Sequence, residues 1–318
     1  MNELPQKTVS IQKVLGELEQ SSLAEVRDLA AAALQHDGNP PLSDQTLVAL
    51  GAEESGKDVI TLLAYSGEGT EGQLSGVIVA IDDPASRRWV VELVVHPQFR
   101  NHGIGRQLLQ ALGEQLDLSQ ILTWAHGDHE AARKLAESIG LSRNRELYRM
   151  RREGTDSLEE TPLQRGLTLR SFRVGEDESD WLEANTKSFA HHPEQGSLTL
   201  ADLDARMNEN WFDPHGFFLA FDPDDRLVAY HWTKIHPAGV DEIRPMGEVY
   251  VVGVVPEAQG LGLGRALTTV GINYLLEQGV GSVLLYVDAE NEAAVKLYRS
   301  LGFTLWSADI MYGPEQID

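Results

Sequence analysis

Apolar positions along this chain fall into short runs and helical stripes, and their order is written twice. The first pass opens with a short strand over residues 7–14. Leu23, Val26, Leu29 and Ala33 then recur at helical spacing, which predicts a helix over 22–36 capped by Ser21 or Ser22. HDGNPPLS (36–43) is turn chemistry, and a short helix fits 44–51. Three strand-like runs follow: VITLLAYS (59–66), LSGVIVAI (74–81) and RWVVELVV (88–95). Helices over 103–116 and 129–139 flank a strand at 121–126, and a last strand falls near 145–150.

The second pass repeats this order. A strand at 167–172 precedes helices at 180–190 and 200–210, separated by the loop HHPEQGS (191–197). FFLAF and LVAYHWTKI flank DPDD, which reads as a hairpin turn. GEVYVVGVV (247–255) is a strand, followed by a helix at 263–277, the strand VLLYVD, the helix NEAAVKLYRSLG and the strand FTLWSADIMY. Between the passes, RREGTDSLEETP (151–162) is polar and contains Gly and Pro. The pattern predicts two copies of one α+β unit with a mixed α/β sheet: domains over 1–150 and 164–318, and a linker over 151–163.

Each long strand ends in a glycine loop that opens a helix: RNHGIG (100–105) and QGLGLG (259–264). Unpaired N–H groups and the helix dipole make such a loop an anion site, and glycine lets the backbone approach a phosphate. Neither loop has the Lys-Ser or Lys-Thr of a P-loop, and from Gly260 the third glycine of GxGxxG would fall on Arg265.

Charge and composition narrow the partners. A net charge of −23 argues against nucleic acid and against an anionic membrane surface. With no cysteine, disulfides, thiolate metal sites and cysteine nucleophiles are excluded. The histidines are scattered apart from His191 and His192, so no metal is expected. No apolar stretch is long enough to span a bilayer, and the expectation is a cytoplasmic monomer.

The glycine loop after a long central strand, followed by NEAAVKLYRSLGF (291–303), resembles the GNAT N-acetyltransferases. That resemblance implies two tandem GNAT-fold domains that bind acetyl-CoA. In the first it implies contacts from Leu93, Val94 and Val95 and from Arg100, Asn101, His102, Gly103, Ile104 and Gly105. In the second it implies Val252, Gly253 and Val254, then Gln259, Gly260, Leu261, Gly262, Leu263, Gly264 and Arg265. Asn291, Glu292, Ala293, Ala294, Val295 and Lys296 complete that set. The strings HPEQG, YHWTK and GEVYVVGV are similar to a two-domain branch of the family. Its acceptor is the cysteinyl amine of a small thiol glycoconjugate of cysteine, glucosamine and inositol.

The two copies agree on the loop and disagree on the chemistry. With Gly103 laid on Gly262, Glu248 falls on Trp89. With Ala131 laid on Ala293, Tyr298 falls on Ala136 and Asn291 on His129. By resemblance, Tyr298 protonates the departing sulfur, a backbone N–H near Val252–Val254 meets the oxyanion, and Glu248 is a candidate base. The second domain is therefore expected to carry catalysis. A cysteinyl α-amine titrates near 7.7–8, so freeing it at pH 7 costs about 1 kcal/mol, and a modest base suffices. The resemblance also implies that Glu194, Lys234, Glu248 and Tyr286 hold the acceptor, with Asp37 reaching it from the first domain. Two other readings stay open: a different small amine or a protein N-terminus as acceptor, and a non-catalytic acetyl-CoA sensor.

Overall fold

The computed structural model describes residues 9–51, 58–67, 72–83, 86–163, 166–190, 195–238 and 244–315. Contacts divide the chain into two units, Met1–Leu147 with Ser307–Asp318, and Tyr148–Trp306.

The first unit contains β1 (Val9–Leu15), α1 (Gln20–Asp37), α2 (Asp44–Gly51), β2 (Val59–Ser66), β3 (Gln73–Asp83), β4 (Arg88–Val95), α3 (Ile104–Gly113), β5 (Leu122–Ala125) and α4 (Glu130–Ser138). Strands β1 to β4 pair antiparallel in chain order, and β5 joins β4 in parallel. The apolar runs of β2 and β3 are continuous because both faces are covered. Leu63, Val77, Val79 and Ile81 enter one core with Val26 and Leu29 of α1, while Leu62, Ile78 and Ala80 enter another with Leu108 and Leu112 of α3. Successive side chains point to opposite faces, so one strand feeds two cores. The expected serine cap of α1 is not made. The helix starts at Gln20 with Glu19 before it, and Leu23 N–H already bonds the Glu19 carbonyl, which places Ser21 and Ser22 inside the first turn.

In the second unit the elements are β7 (Thr168–Ser171), α5 (Glu178–Ser188), α6 (Leu200–Met207), β8 (Phe217–Phe221), β9 (Leu227–His236), β10 (Met246–Val254), α7 (Leu263–Glu277), β11 (Ser282–Asp288) and α8 (Glu292–Ser300). β7 to β10 pair antiparallel in the order β7-β8-β9-β10, and β11 joins β10 in parallel. One core packs Trp181 and Leu203 of α5 and α6 against Phe217, Tyr230 and Trp232. The other packs Ile272 and Leu275 of α7, with Val295 and Tyr298 of α8, against Val249, Val283 and Leu285.

The units divide the chain differently from the expected ranges, because the last strand of each copy works elsewhere. β6 (Ser142–Glu153) runs through residues 151–153, where a linker was expected, and Tyr148 onward belongs to the second unit. There Met150 is fully buried in the core of Val283, Leu285 and Ile272. β12 (Thr304–Gly313) does the converse. From Ser307 it belongs to the first unit, pairing antiparallel with β5 (Ile310↔Ala125, Tyr312↔Thr123) and burying Ile310 and Tyr312 beside Ile121. A short β5 pairs with β4 through only Val90 and Val91, and β12 covers its other edge.

Candidate active site

The two glycine loops share one backbone. Gly260 and Gly262 have φ of 79° and 77°, and Asn101 and Gly103 have 64° and 80°. Asn is the non-glycine residue that best tolerates this left-handed conformation, which is why the first loop works with one glycine fewer. α7 and α3 both begin directly after the second of these residues without a side-chain cap. Their first-turn N–H groups, at Leu263, Gly264 and Arg265 in one and Ile104, Gly105 and Arg106 in the other, are left to a ligand. A Cβ on Gly260 or Gly262 would meet nothing within 4 Å, so the loop faces open space of the kind a pyrophosphate needs. Arg265 turns aside to hydrogen-bond Ser300.

Above each loop the central pair of parallel strands parts. β10 and β11 are in register from Met246↔Ser282 to Val249↔Leu285 and no further, although β10 continues to Val254. On the other edge of β10, Val255 N–H bonds Val228 of the β9 side. Alternation then aims the N–H and C=O of Val254 and Val252 into the gap, with Gly253 turned toward β9. Gln259 Nε2 reaches the Val254 carbonyl at 3.4 Å, on the gap side. The first unit matches: β4 leaves β5 after Val91, His96 N–H bonds Ser75, and Arg100 Nε donates to the Val95 carbonyl at 3.1 Å, which aims Val95 and Leu93 into the gap and Val94 away. One element differs. Tyr250 is an extra residue between Val249 and Val251 in the β9–β10 register, a bulge that bends the strand where the gap opens. β4 runs against β3 from Gly76↔Val95 to Asp83↔Arg88 without a shift.

Tyr298, on α8, shares its cluster with Val249, Val252, Leu285 and Val287, the residues at the parting of β10 and β11. Burial raises its phenol to about 12, so the proton stays on oxygen throughout the neutral range. α8 itself is started by Asn291, whose side chain accepts from Ala294 N–H at 3.1 Å. Glu292 and Lys296 pair with each other at the surface, Val295 faces the core, and Ala293 and Ala294 lie in the first turn.

Glu248 and Lys234 are cross-strand partners on the α5–α6 face of the sheet. Glu248 is buried, 7% exposed, and its Oε2 lies at hydrogen-bond distance, 2.6 Å, from His236 Nε2. The Lys234 ammonium lies 4.8 Å over Trp211 and 5.5 Å over Tyr250, and Arg206 of α6 donates to the Tyr250 hydroxyl. Tyr286 is two residues beyond Leu284, the β11 partner of Glu248, and is 40% exposed with Arg149 over its ring. Lys234, Glu248 and Tyr286 thus occupy neighbouring strands of one unit. Glu194 lies outside the described residues.

The first unit fills the corresponding region with internal ion pairs. Asp37, expected at the acceptor, has both carboxylate oxygens on the Arg100 guanidinium at 2.7 and 2.6 Å; that bidentate bond holds its carboxyl down at about 2. Deeper, His126 sits between two carboxylates, with Nε2 2.9 Å from Glu92 and Nδ1 3.1 Å from Asp309 of β12. Burial works against the imidazolium, but hydrogen bonds to Asp309 and Glu92 and their charges outweigh it and raise His126 to about 10. Burial likewise opposes the Glu92 carboxylate, which His126 and Ser43 N–H hold below its usual range. Asp309 also accepts from Gly127 N–H at 2.9 Å. Sequence reasoning passed over this cluster and over His236. A signal for His236 did exist: it lies two residues after Lys234 in one strand, hence on the same face. Among the described residues no group of His, Asp and Glu could hold a metal ion, and no helix is long and apolar enough to cross a membrane.

Comparison with known proteins agrees with this geometry. Residues 179–303 match the acetyltransferase (GNAT) family, and residues 57–148 match an acetyltransferase (GNAT) domain. A GCN5-related N-acetyltransferase from Sphaerobacter thermophilus superposes with a TM-score of 0.69 at 22% identity, covering 94% of each chain. A tandem GNAT protein from the clavulanic acid biosynthesis pathway superposes at 0.71 with 15% identity, covering 97% of this chain and 100% of that one. These two establish the tandem fold. The mycothiol acetyltransferase of Paenarthrobacter aurescens is 49% identical over 95% of both chains, and that of Thermobifida fusca is 46% identical over 94% of this chain and 97% of its own. The chain belongs to the mycothiol acetyltransferase family, a tandem branch of the GNAT acetyltransferases.

Proposed function

We propose that this protein transfers the acetyl group of acetyl-CoA to the cysteinyl amine of desacetylmycothiol, the cysteine–glucosamine–inositol conjugate, completing mycothiol. The observation that carries the reading is the full-length identity of nearly one half to mycothiol acetyltransferases. We assign the chemistry to the second unit, because there the central strand is bulged at Tyr250, Glu248 stands two residues before the bulge, and Tyr298 packs against Val249 and Val252 beside it. The first unit holds acetyl-CoA in its loop without comparable turnover. The enzyme is read as a cytoplasmic monomer.

Acetyl-CoA supplies a thioester, whose carbonyl carbon is the electrophile. The loop from Gln259 to Arg265 holds the pyrophosphate through backbone N–H groups, with the start of α8 beside it. The N–H groups of Val252 and Val254, aimed into the gap, receive the carbonyl oxygen as it gains charge; one such donor is worth about 3 kcal/mol. Glu248 takes a proton from the acceptor ammonium, directly or through one water, which frees the lone pair to form the C–N bond. As the C–S bond breaks, Tyr298 gives its hydroxyl proton to the sulfur and recovers one from the amine side. Lys234 and Tyr286 position the sugar conjugate, with Glu194.

The test is steady-state CoA release with the conjugate as acceptor, combined with the number of acetyl-CoA molecules bound. Gly262→Glu is expected to remove turnover and one binding event. Gly103→Glu is expected to remove the other binding event and retain turnover. If the two variants lose turnover equally, the division of labour is wrong. If the parent protein turns over only with other amines, the acceptor is wrong.

A further inference from the structure

Glu248 is proposed as the base, yet by itself a carboxylate is poorly matched to its task. A free glutamate titrates near 4.3 and a cysteinyl α-amine near 7.7–8, so the transfer runs uphill by more than three pH units. The structure contains a remedy that the acceptor-binding reading does not use. His236 closes β9 directly opposite Met246, two residues beyond Lys234, and its Nε2 is 2.6 Å from Glu248 Oε2. The carboxylate side chain is 9% exposed and the imidazole 32% exposed, so the pair has one member inside and one in reach of water.

We infer that His236 is the positioning and proton-holding partner of Glu248, so that the acceptor's proton comes to rest on the imidazole and leaves to solvent from there. This rests on the reading of Glu248 as the base. The balance is simple. With the imidazole neutral and its hydrogen on Nδ1, the acceptor N–H proton arrives at Glu248 and passes along the hydrogen bond to the Nε2 lone pair. The Glu248 carboxylate then faces an imidazolium, which releases its Nδ1 proton to solvent. No electrons move except the N–H bonding pair, which becomes the nucleophile. A pair already carrying one proton cannot accept another cheaply, so activity should fall as the imidazole becomes charged.

Among the described residues, other charged and titratable groups lie on the strands and helices beside the pair. Lys234 stands across from Glu248 on β9, Tyr250 follows on β10, and Arg206 reaches Tyr250 from α6. Tyr286 and, at the strand end, Asp288 lie on β11, with Arg149 of β6 over Tyr286. Phenols, ammonium and guanidinium groups ordinarily titrate above about pH 10, and a carboxylate near 4. Among the groups named, His236 is the one imidazole.

The experiment is the pH dependence of kcat, which reports groups in the complex, for the intact protein with saturating acetyl-CoA and conjugate. It compares the parent with His236→Gln, His236→Ala and Glu248→Gln, each checked for parent-like circular dichroism and acetyl-CoA affinity. Gln keeps an N–H donor near Glu248 but cannot hold a proton. The parent should lose kcat on the acid side. In His236→Gln that limb should move down by at least one pH unit, and kcat at pH 7.5 should fall about tenfold, with the acetyl-CoA KM held. If His236→Gln has the parent's rate and acid limb while Glu248→Gln is slow, His236 is only a structural neighbour and the inference fails. If Glu248→Gln is as fast as the parent, the base assignment falls first and takes the inference with it.

Discussion

Set β4 beside β10, and the same glycine loop is found under two different strands. Both end with a carbonyl tied back by the first residue of the loop, Arg100 to Val95 and Gln259 to Val254. Both leave a parallel neighbour to open a gap. Above the gap the units diverge. The second has a bulge at Tyr250, a buried tyrosine at 298 and a carboxylate whose partner reaches solvent. In the first there is an unbroken register, Ala136 in place of the tyrosine, and a histidine locked between Glu92 and Asp309. A duplicated fold thus keeps its ligand cradle through backbone geometry, which many sequences satisfy. The side chains above the cradle differ between the copies, and under the proposed assignment the acid and the base stand in the second copy alone.

The largest expected effect is on stability in the first unit. His126→Ala leaves two carboxylates facing each other in a buried site, and breaking such a network costs about 3–5 kcal/mol. Urea unfolding would measure it; a loss below about 1 kcal/mol would mean the cluster is solvated after all. The sign with pH follows from the raised imidazole. Its contribution is complete below the ordinary value near 6.5 and disappears as pH rises through about 10. The parent should therefore lose stability toward pH 10 more steeply than His126→Ala. At the acid end the order reverses for Asp37, whose contribution is complete above its ordinary range and lost as pH falls through about 2.

Next comes Tyr298→Phe, which keeps the ring in its core and removes only the hydroxyl. kcat should fall about a hundredfold, the lower range for general acid catalysis. A parent-like kcat across the pH range would place the proton source elsewhere. A smaller effect separates the loops. Gly262→Ala puts a side chain at φ 77°, at a cost of about 1–2 kcal/mol, and should weaken binding at the second site while Gly103→Ala does so at the first. Competition with desulfo-CoA, followed calorimetrically, would resolve the two sites. Smallest of all, Asn101→Gly relieves a φ of 64° and should change stability or affinity by only a few tenths of a kcal/mol.

Much of this architecture was legible in order and periodicity. The strands 59–66 and 88–95 and the helix 263–277 appear at the expected residues, because their apolar patterns face cores on known periods. Both glycine loops were legible for the same local reason. The features that escaped are those in which distant residues meet. Asp309 reaches His126 across 183 positions, and nothing near either residue announces the other. The Tyr250 bulge is a property of register between two strands, so VYVVGVV alone could not reveal it. His236 was visible as a histidine, but its role depends on that same register. Glu248, Lys234 and Tyr286 were singled out by resemblance alone, and the structure sets them on adjacent strands of one face.

The placement of β12 bears on how this protein is made. The first unit lacks its last strand until residues from Ser307 onward emerge from the ribosome, some 160 residues after Leu147. At about 5–20 residues per second that is roughly ten to thirty seconds of synthesis. During that interval the outer edge of β5 has no partner, and the His126 charge has one carboxylate in place of two. Nascent chains stalled before and after this point should differ in protease resistance within residues 9–147. The order of translation, and not only the final contacts, then decides when half of this molecule can be called native.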